Sequence, residues 1–312
     1  MVIGCRQRRG PPARTLDRAE GASLHRHAAP PRPAGVSGRA LALLVALAAA
    51  LVAAFVVAPR SLAAIGPGEG FSDQSSLVGA VRETFIAYWS TGHRDFSPGM
   101  EGVVDYWVRY HVAKGVIAAI LLVALIALGV LLWRAFAMAG GTGAVRRAAL
   151  AVGGVLVTML ALFSMVVVMA NVQGALAPFS SLMSMLPIGE TDGELADTLG
   201  QVRQQLADSP SAGGDWTPPA LDVMISDFSR YHAVMAVIAA MAAAVLIGLS
   251  VVLWKWFAST ESSASGTRRV LGSFAVLSAV VSLGMIVVAL ANTTTAADPT
   301  PALLAFFDGG FV

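Results

Sequence analysis

The chain has 312 residues, of which 56% are hydrophobic and only 13% are charged, and its formal net charge is +2. Soluble domains carry about a quarter charged residues, so this composition excludes an ordinary soluble protein and indicates a membrane protein. Cys5 is the only cysteine, which excludes an intramolecular disulfide and a cysteine-based metal cluster.

The N-terminal region combines a basic tail with a short apolar run. Residues 1–39 contain eight arginines, and we expect this tail to be disordered and cytoplasmic. Two interpretations fit residues 40–64, which include the apolar run 41–57. They form either a permanent anchor helix or a signal peptide, with Ser61 and Ala63 as the small residues of a cleavage site. The tail is long for a signal peptide, unless Val36 is the true start.

Four further apolar runs are long enough to cross the ~30 Å hydrocarbon core, which takes about 20 helical residues. They are 112–132, 149–170, 233–253 and 270–291. Basic residues gather in the short connections within each pair of runs, whereas residues 171–231 hold eight acids against two arginines. This asymmetry predicts a multi-pass membrane protein. The N-terminus is then cytoplasmic, and the large loops and the C-terminus lie outside.

An internal repeat links the two pairs of runs. The stretch "DYWVRYHVAKGVIAAI" from Asp105 is echoed by "DFSRYHAVMAVIAAM" from Asp227, and Arg-Tyr-His recurs at an offset of 121 residues. The pattern predicts repeat 1 at 65–190 and repeat 2 at 191–312, each an outer segment followed by two membrane helices. Because both repeats start on the same side, they are parallel. We therefore expect an all-α membrane protein, with a four-helix transmembrane bundle built from two tandem αα-hairpins.

Turn residues and apolar segments mark the outer ends of these helices. Ser97 and Thr217 are suitable helix N-caps, with Pro98 and Pro218 at the first helical position. Each should start a helix outside the membrane that continues into a span. The apolar segments "ALAPFSSLMSMLP" and "PALLAFF" follow the exits of spans. They lie in the headgroup region, cap the bundle or receive a partner.

Residues at matched positions of the two repeats are predicted to anchor the spans at the membrane surfaces. Aromatic rings and long basic side chains favour the headgroup level. The predicted outer anchors are Arg109, Tyr110, Arg230 and Tyr231, and the inner ones are Trp133, Arg134, Trp254 and Lys255. Arg109 and Arg230 also fit ion pairs with Asp105 and Asp227 about one turn upstream, or contacts with lipid phosphate.

Candidate chemistry is sparse. His111 and His232 are repeat mates that would bind a metal only if a two-fold axis brought them together, and two histidines alone make a poor site. We favour their role as interfacial residues. The span interiors lack ionisable residues, which argues against a proton-coupled pump. We predict no enzymatic activity, no cofactor and no nucleic-acid partner.

The stretches "VDYWVRYHVAKGVIAAILLVALIALGVLLWRAF" and "VMANVQGALAPF" resemble multi-span membrane proteins of high-GC Gram-positive bacteria, sometimes labelled as Tat-signal-sequence proteins. The resemblance implies a bacterial plasma membrane, but it implies no activity and no site residues. The sequence favours a structural or accessory membrane protein that binds lipid or another membrane or cell-envelope protein at the outer face. The alternative is a small-solute channel or transporter along the axis between the repeats.

Overall fold

The computed structural model describes residues 38–66, 70–139, 143–209 and 217–310, which form helices, turns and short connections without a strand. Five of the described helices are long and apolar enough to cross a membrane, which fits a multi-pass membrane protein. Residues 1–37 of the predicted basic tail lie outside the described residues.

The helices of the described ranges follow one another in a simple order. They are α1 (Gly38–Ala63), α2 (Gln74–Thr91), α3 (Pro98–Met138), α4 (Ala144–Leu176), α5 (Pro178–Met183), α6 (Glu194–Asp208), α7 (Pro219–Ser259), α8 (Ser265–Ala297) and α9 (Pro299–Phe307). All five apolar runs of the sequence lie inside α1, α3, α4, α7 and α8, so the prediction of membrane-length helices is confirmed. Both bounds of α7 and of α8 lie 121 residues after those of α3 and α4.

The two longest helices, α3 and α7, start differently because two prolines stand together at the start of α7. Ser97 caps α3 by accepting a hydrogen bond from the Met100 amide at 3.3 Å, as predicted. The prediction for Thr217 is wrong, because Pro218 occupies the N-cap position of α7 without a side-chain cap. A residue that precedes proline is disfavoured in helical geometry. Since Pro219 follows Pro218, the helix can begin only at the second proline.

Each pair of long helices packs through small residues and hydroxyl groups. Ser164 of α4 donates to the Ala118 carbonyl of α3 at 3.0 Å, and Ser250 of α7 donates to the Ala275 carbonyl of α8 at 2.8 Å. Gly154 of α4 meets the Trp133 ring so closely that a Cβ there would lie 2.8 Å from it. Such close approach is typical of membrane helices, which pack through small residues.

Two contacts join the α3–α4 hairpin to the α7–α8 hairpin, one near each end. The Trp133 ring of α3 lies edge-on to Phe274 of α8, with centroids 5.4 Å apart. At the opposite end the Gln173 amide of α4 donates to the Tyr231 carbonyl of α7 at 3.0 Å. The two hairpins therefore pack against each other, in addition to the packing of the two helices within each hairpin.

Helix α1 packs along α3 in the opposite direction. Leu41 and Leu44 pack against Leu125 and Leu128, while Ala63, at the other end of α1, is fully buried. The Arg109 Nε of α3 donates to the Ala63 carbonyl at 2.8 Å. Ser61 and Ala63, the predicted cleavage-site residues, thus lie in the last turn of a packed helix.

The largest hydrophobic core lies at one end of the molecule, where α2, α5, α6 and α9 cover the first turns of α3 and α7. We call this region the cap. Its largest fully buried side chains are Phe85, Tyr88, Met100, Phe179, Leu182, Met183, Leu195, Leu199, Leu206, Leu221, Met224 and Phe307. Both apolar exit segments contribute to it through α5 and α9, which pack with the first turns of α3 and α7.

Three aromatic rings make the centre of the cap. Phe179 of α5 lies 5.7 Å from Tyr88 and 5.1 Å from Phe96 between ring centroids. The Tyr88 hydroxyl donates to the Arg94 carbonyl, and burial raises the pKa of Tyr88 to about 12. Tyr88 therefore stays neutral at physiological pH, and the centre of the cap carries no charge there.

Truncating one buried side chain of α6 tests the cap core. We expect Leu199→Ala to lower the free energy of unfolding by about 2–5 kcal/mol, because the change removes buried methyl groups and leaves a cavity. Gln204→Ala, at an exposed position of the same helix, is the matched control and should have little effect. Thermal unfolding in detergent, followed by circular dichroism, measures both. Equal midpoints for the two variants would contradict a core at this position.

Candidate functional site

Arg203 of α6 ties the last helix to the cap. Its Nε donates to the Phe307 carbonyl and its Nη2 donates to the Ile188 carbonyl, each at 2.8 Å. The Asp308 carboxylate lies 3.7 Å from Nε. Bonds of a charged donor to carbonyl oxygens are stronger than neutral ones. One guanidinium thus holds α9 and the segment after α5 against α6.

Two further ion pairs lie in the cap, one within repeat 1 and one between the repeats. Arg82 of α2 pairs with Glu190, which follows α5, and Arg94 pairs with Asp222 of α7. Their arginine side chains are 43% and 64% exposed. Pairs as exposed as these contribute little stability, about 0–1 kcal/mol each. We infer that these ion pairs help to determine where the cap helices lie, and that they add little to the free energy of unfolding.

A layer of polar side chains lies where the cap meets the apolar runs. Asn171 and Gln173 of α4 are 7% and 5% exposed, although they follow an apolar run directly. The Asn171 amide donates to the Val167 carbonyl at 2.7 Å, and Gln173 reaches α7. Buried polar groups of this kind cost free energy unless they are hydrogen-bonded. The layer therefore fixes how α4 sits against α7.

The two histidines of the repeat belong to this layer, and each bonds within its own hairpin. His111 Nδ1 lies 3.0 Å from the Trp107 carbonyl, so it donates there. His232 Nδ1 lies 2.8 Å from Asn292 Oδ1. Asn292 donates its amide to the Val288 carbonyl, which fixes its oxygen as the acceptor of the His232 proton.

His111 also makes a close approach to the neighbouring helix. A Cβ at Gly174 of α4 would lie 2.4 Å from His111 Nε2, so a larger residue there would displace the His111 ring. The described residues hold no group of three or more His, Cys, Asp and Glu side chains that could bind a metal ion. The metal pair of His111 and His232 stays a hypothesis, and their hydrogen bonds give each histidine a packing role.

The two arginines of the repeat have different neighbours. Arg230 lies 3.9 Å from Asp227, so the predicted ion pair of repeat 2 is confirmed. Asp227 is 8% exposed and also accepts the Ser180 amide of α5 at 2.8 Å. Arg109 instead holds the Ala63 carbonyl at the end of α1. Its pairing with Asp105 stays a prediction.

The predicted membrane anchors separate into packed and exposed residues. Tyr110 stacks on Trp107 with 5.2 Å between ring centroids. Trp133 is half-buried and donates to the Thr158 hydroxyl at 3.2 Å. Its repeat mate Trp254 is 55% exposed. Tyr231 is half-buried, while Arg134 and Lys255 are exposed at the end opposite the cap.

No family model matches this sequence, and comparisons with curated proteins and with solved structures found no significant match.

Several residues that matter in the cap were not singled out from the sequence as site residues. Arg203 had a signal, because it matches Arg82 in the repeat and is one of two bases in an acidic segment. Gln173 had only the weak signal of a polar residue at the end of an apolar run. The role of Ser180 depends on a contact between distant segments, which local sequence does not reveal.

Replacing Arg203 tests its hold on α9. We expect Arg203→Gln to speed hydrogen exchange at the amides of α9 by roughly tenfold, the factor given by about 1.4 kcal/mol of lost charge-assisted bonding. Arg82→Gln is the matched control, because it removes the repeat mate, whose ion-pair partner Glu190 lies outside α9. Hydrogen–deuterium exchange with mass spectrometry measures both variants. Unchanged exchange in α9 of Arg203→Gln would contradict this role.

Proposed function

We propose that the protein is a non-enzymatic, structural or accessory integral membrane protein that binds a partner protein or lipid through its cap at the outer face of a bacterial plasma membrane. The observation that carries this proposal is the cap itself. Its helices enclose a core richer in large aromatic and aliphatic side chains than the contacts between the spans. A folded helical body at one membrane face supports recognition of a partner there.

The packing within the spans supports this function over transport. Hydroxyl groups of the spans bond to backbone carbonyls of their own or the neighbouring helix, as Ser164, Ser250 and Ser282 do. The buried residues around them are mainly alanine, leucine and valine. Hydroxyl groups bonded in this way have no proton left to donate to a passing solute, which favours a dry interior.

Charge supports the proposed threading. The helix ends opposite the cap carry Arg134, Arg146 and Arg147 in one hairpin and Arg268 and Arg269 in the other. At the cap end, the connection before α6 and α6 itself are acidic. Positive residues accumulate on the cytoplasmic side, so we propose that the cap faces outwards. The resemblance to proteins of high-GC Gram-positive bacteria agrees with a plasma membrane.

We also propose that the four spans form a bundle of two duplicated hairpins. The supporting observation is the recurrence of helix bounds: α7, α8 and the start of α9 lie 121 residues after α3, α4 and the start of α5. A hairpin of small-residue helices has an unsatisfied packing face. A second copy of the hairpin supplies the matching face, which explains why Arg-Tyr-His occurs twice.

The alternative function is a small-solute channel or transporter along the axis between the repeats. The polar layer is the observation that favours it, because Gln173 and its neighbours lie where the two hairpins meet. Polar side chains at a repeat interface are typical of substrate sites in transporters. In the described residues these groups bond to one another or to backbone, which supports a packing role instead.

Cysteine labelling tests the threading. In a Cys5→Ala background, single cysteines replace Gln204 in the cap and Ser263 in the α7–α8 connection, both of them exposed. We expect an impermeant thiol reagent to label Gln204→Cys on intact cells and to label Ser263→Cys only after permeabilisation. The opposite pattern would overturn the proposed orientation.

Site-specific photocrosslinking and flux measurements separate the two functions. A photoreactive amino acid at the exposed positions Glu83 and Gln204 of the cap should capture the same protein or lipid on intact cells, whereas position Ser263 should not. Purified protein in dye-loaded liposomes should release no more dye than empty liposomes. Dye release without a shared cap adduct would favour the channel.

A further inference from the structure

Three basic side chains gather where α1 and α3 meet below the cap. Arg109 lies three residues before the apolar run of α3, and Lys114 lies just inside it. Arg60 is an exposed residue of the last turn of α1. By the proposed threading these bases lie on the outer side, where bases are otherwise scarce. Their position therefore needs an explanation other than cytoplasmic charge.

Aromatic rings connect these bases along the seam. Burial raises the pKa of the Tyr106 hydroxyl, and the positive charge of Arg60 partly opposes this rise. The rings of Tyr106 and Tyr110 stack with centroids 6.4 Å apart. Lys114 Nζ then lies 5.2 Å from the centre of the Tyr110 ring and 4.6 Å from that of Phe55 in α1. The seam thus presents positive charge beside amphipathic rings, at the level of the membrane surface.

The acids of α3 lie on the side of this cluster that is away from the apolar run. Glu101 and Asp105 precede Arg109 and are further from the apolar run. Towards the run, Val116, Ile120 and Val123 continue the helix face of Arg109 and are 54%, 49% and 67% exposed. A ligand that fits both regions has an anionic head and an apolar tail.

We propose that the α1–α3 seam is a binding site for an anionic phospholipid of the outer leaflet, whose phosphate-containing head group lies among Arg60, Arg109 and Lys114. The acyl chains lie along the exposed valines and isoleucine of α3. The site rests on the proposed threading only for the choice of leaflet.

The repeat supplies an internal comparison for the proposed site. At the positions that match Arg109, Tyr110 and Lys114, repeat 2 has Arg230, Tyr231 and Met235. The base closest to the span is therefore absent from repeat 2, and α1 packs on α3 rather than on α7. The site consequently depends on α1 and exists once in the described residues.

Native mass spectrometry of the full-length protein in detergent tests the site, with phosphatidylglycerol, phosphatidylcholine and glycerol 3-phosphate as probes. We expect one phosphatidylglycerol to bind more tightly than phosphatidylcholine, and glycerol 3-phosphate not to compete with it. Lys114→Met introduces the residue of repeat 2. It should weaken phosphatidylglycerol binding about fivefold, and the double variant with Arg60→Gln should weaken it roughly 25-fold. Lys255→Met, which removes a base from the opposite end, is the matched control and should bind as the wild type does.

Several outcomes would overturn the site. They are equal binding of the two lipids, an equal loss in Lys255→Met, competition by glycerol 3-phosphate, or full binding by the double variant. If Lys114→Met fails to fold, Arg60→Gln at its exposed position carries the test alone, with the same fivefold loss expected.

The intact mass from the same spectra shows whether residues 1–63 remain, and their removal would also overturn a site that needs α1. Because these measurements use purified protein, they are independent of the labelling that tests the threading and of the crosslinking that tests the cap.

Discussion

Burial of an apolar side chain stabilises the folded protein strongly when the side chain would otherwise be in water. It stabilises the protein little when the side chain would otherwise be in lipid. This difference explains where the protein places its large residues. The cap, at the ends of the apolar runs, encloses Phe85, Tyr88 and Phe179 in one aromatic core. Within the spans, alanine, glycine and serine let backbones approach and hydroxyl groups bond to carbonyls. We therefore regard the cap as the source of most of the specific stability, and the spans as its support.

The contacts of helix α1 with α3 bear on how residues 40–64 are interpreted. From sequence, 40–64 fits a signal peptide as well as an anchor. In the structure its Leu41 and Leu44 pack on α3, and its last residue, Ala63, is buried with its carbonyl held by Arg109. A peptidase needs its substrate extended and accessible, whereas Ser61 and Ala63 lie in a packed helical turn. These contacts belong to the uncleaved chain, and the choice between an anchor and a signal peptide stays a prediction.

The sequence predicted the elements better than it predicted their contacts. Hydrophobic run length was enough for the membrane-length helices, because a 30 Å apolar layer sets a simple requirement. The start of α3 followed from Ser97 and Pro98, but the start of α7 was wrong by one residue because two prolines stand together. The cap helices α2 and α6 were not predicted individually, since short helices depend on tertiary packing. Arg203 and Gln173 were missed as contacts because their partners lie in distant segments.

The continuity of α3 and α7 has a mechanical consequence. Each helix has 41 residues, which at 1.5 Å per residue makes a rod of about 60 Å, twice the thickness of the hydrocarbon core. No loop separates the part in the cap from the part in the span. A partner that pulled or tilted the cap would therefore move the far ends of both rods, where Arg134 and Lys255 lie, in the manner of a lever. Force applied at one membrane face would reach the other without a second moving part.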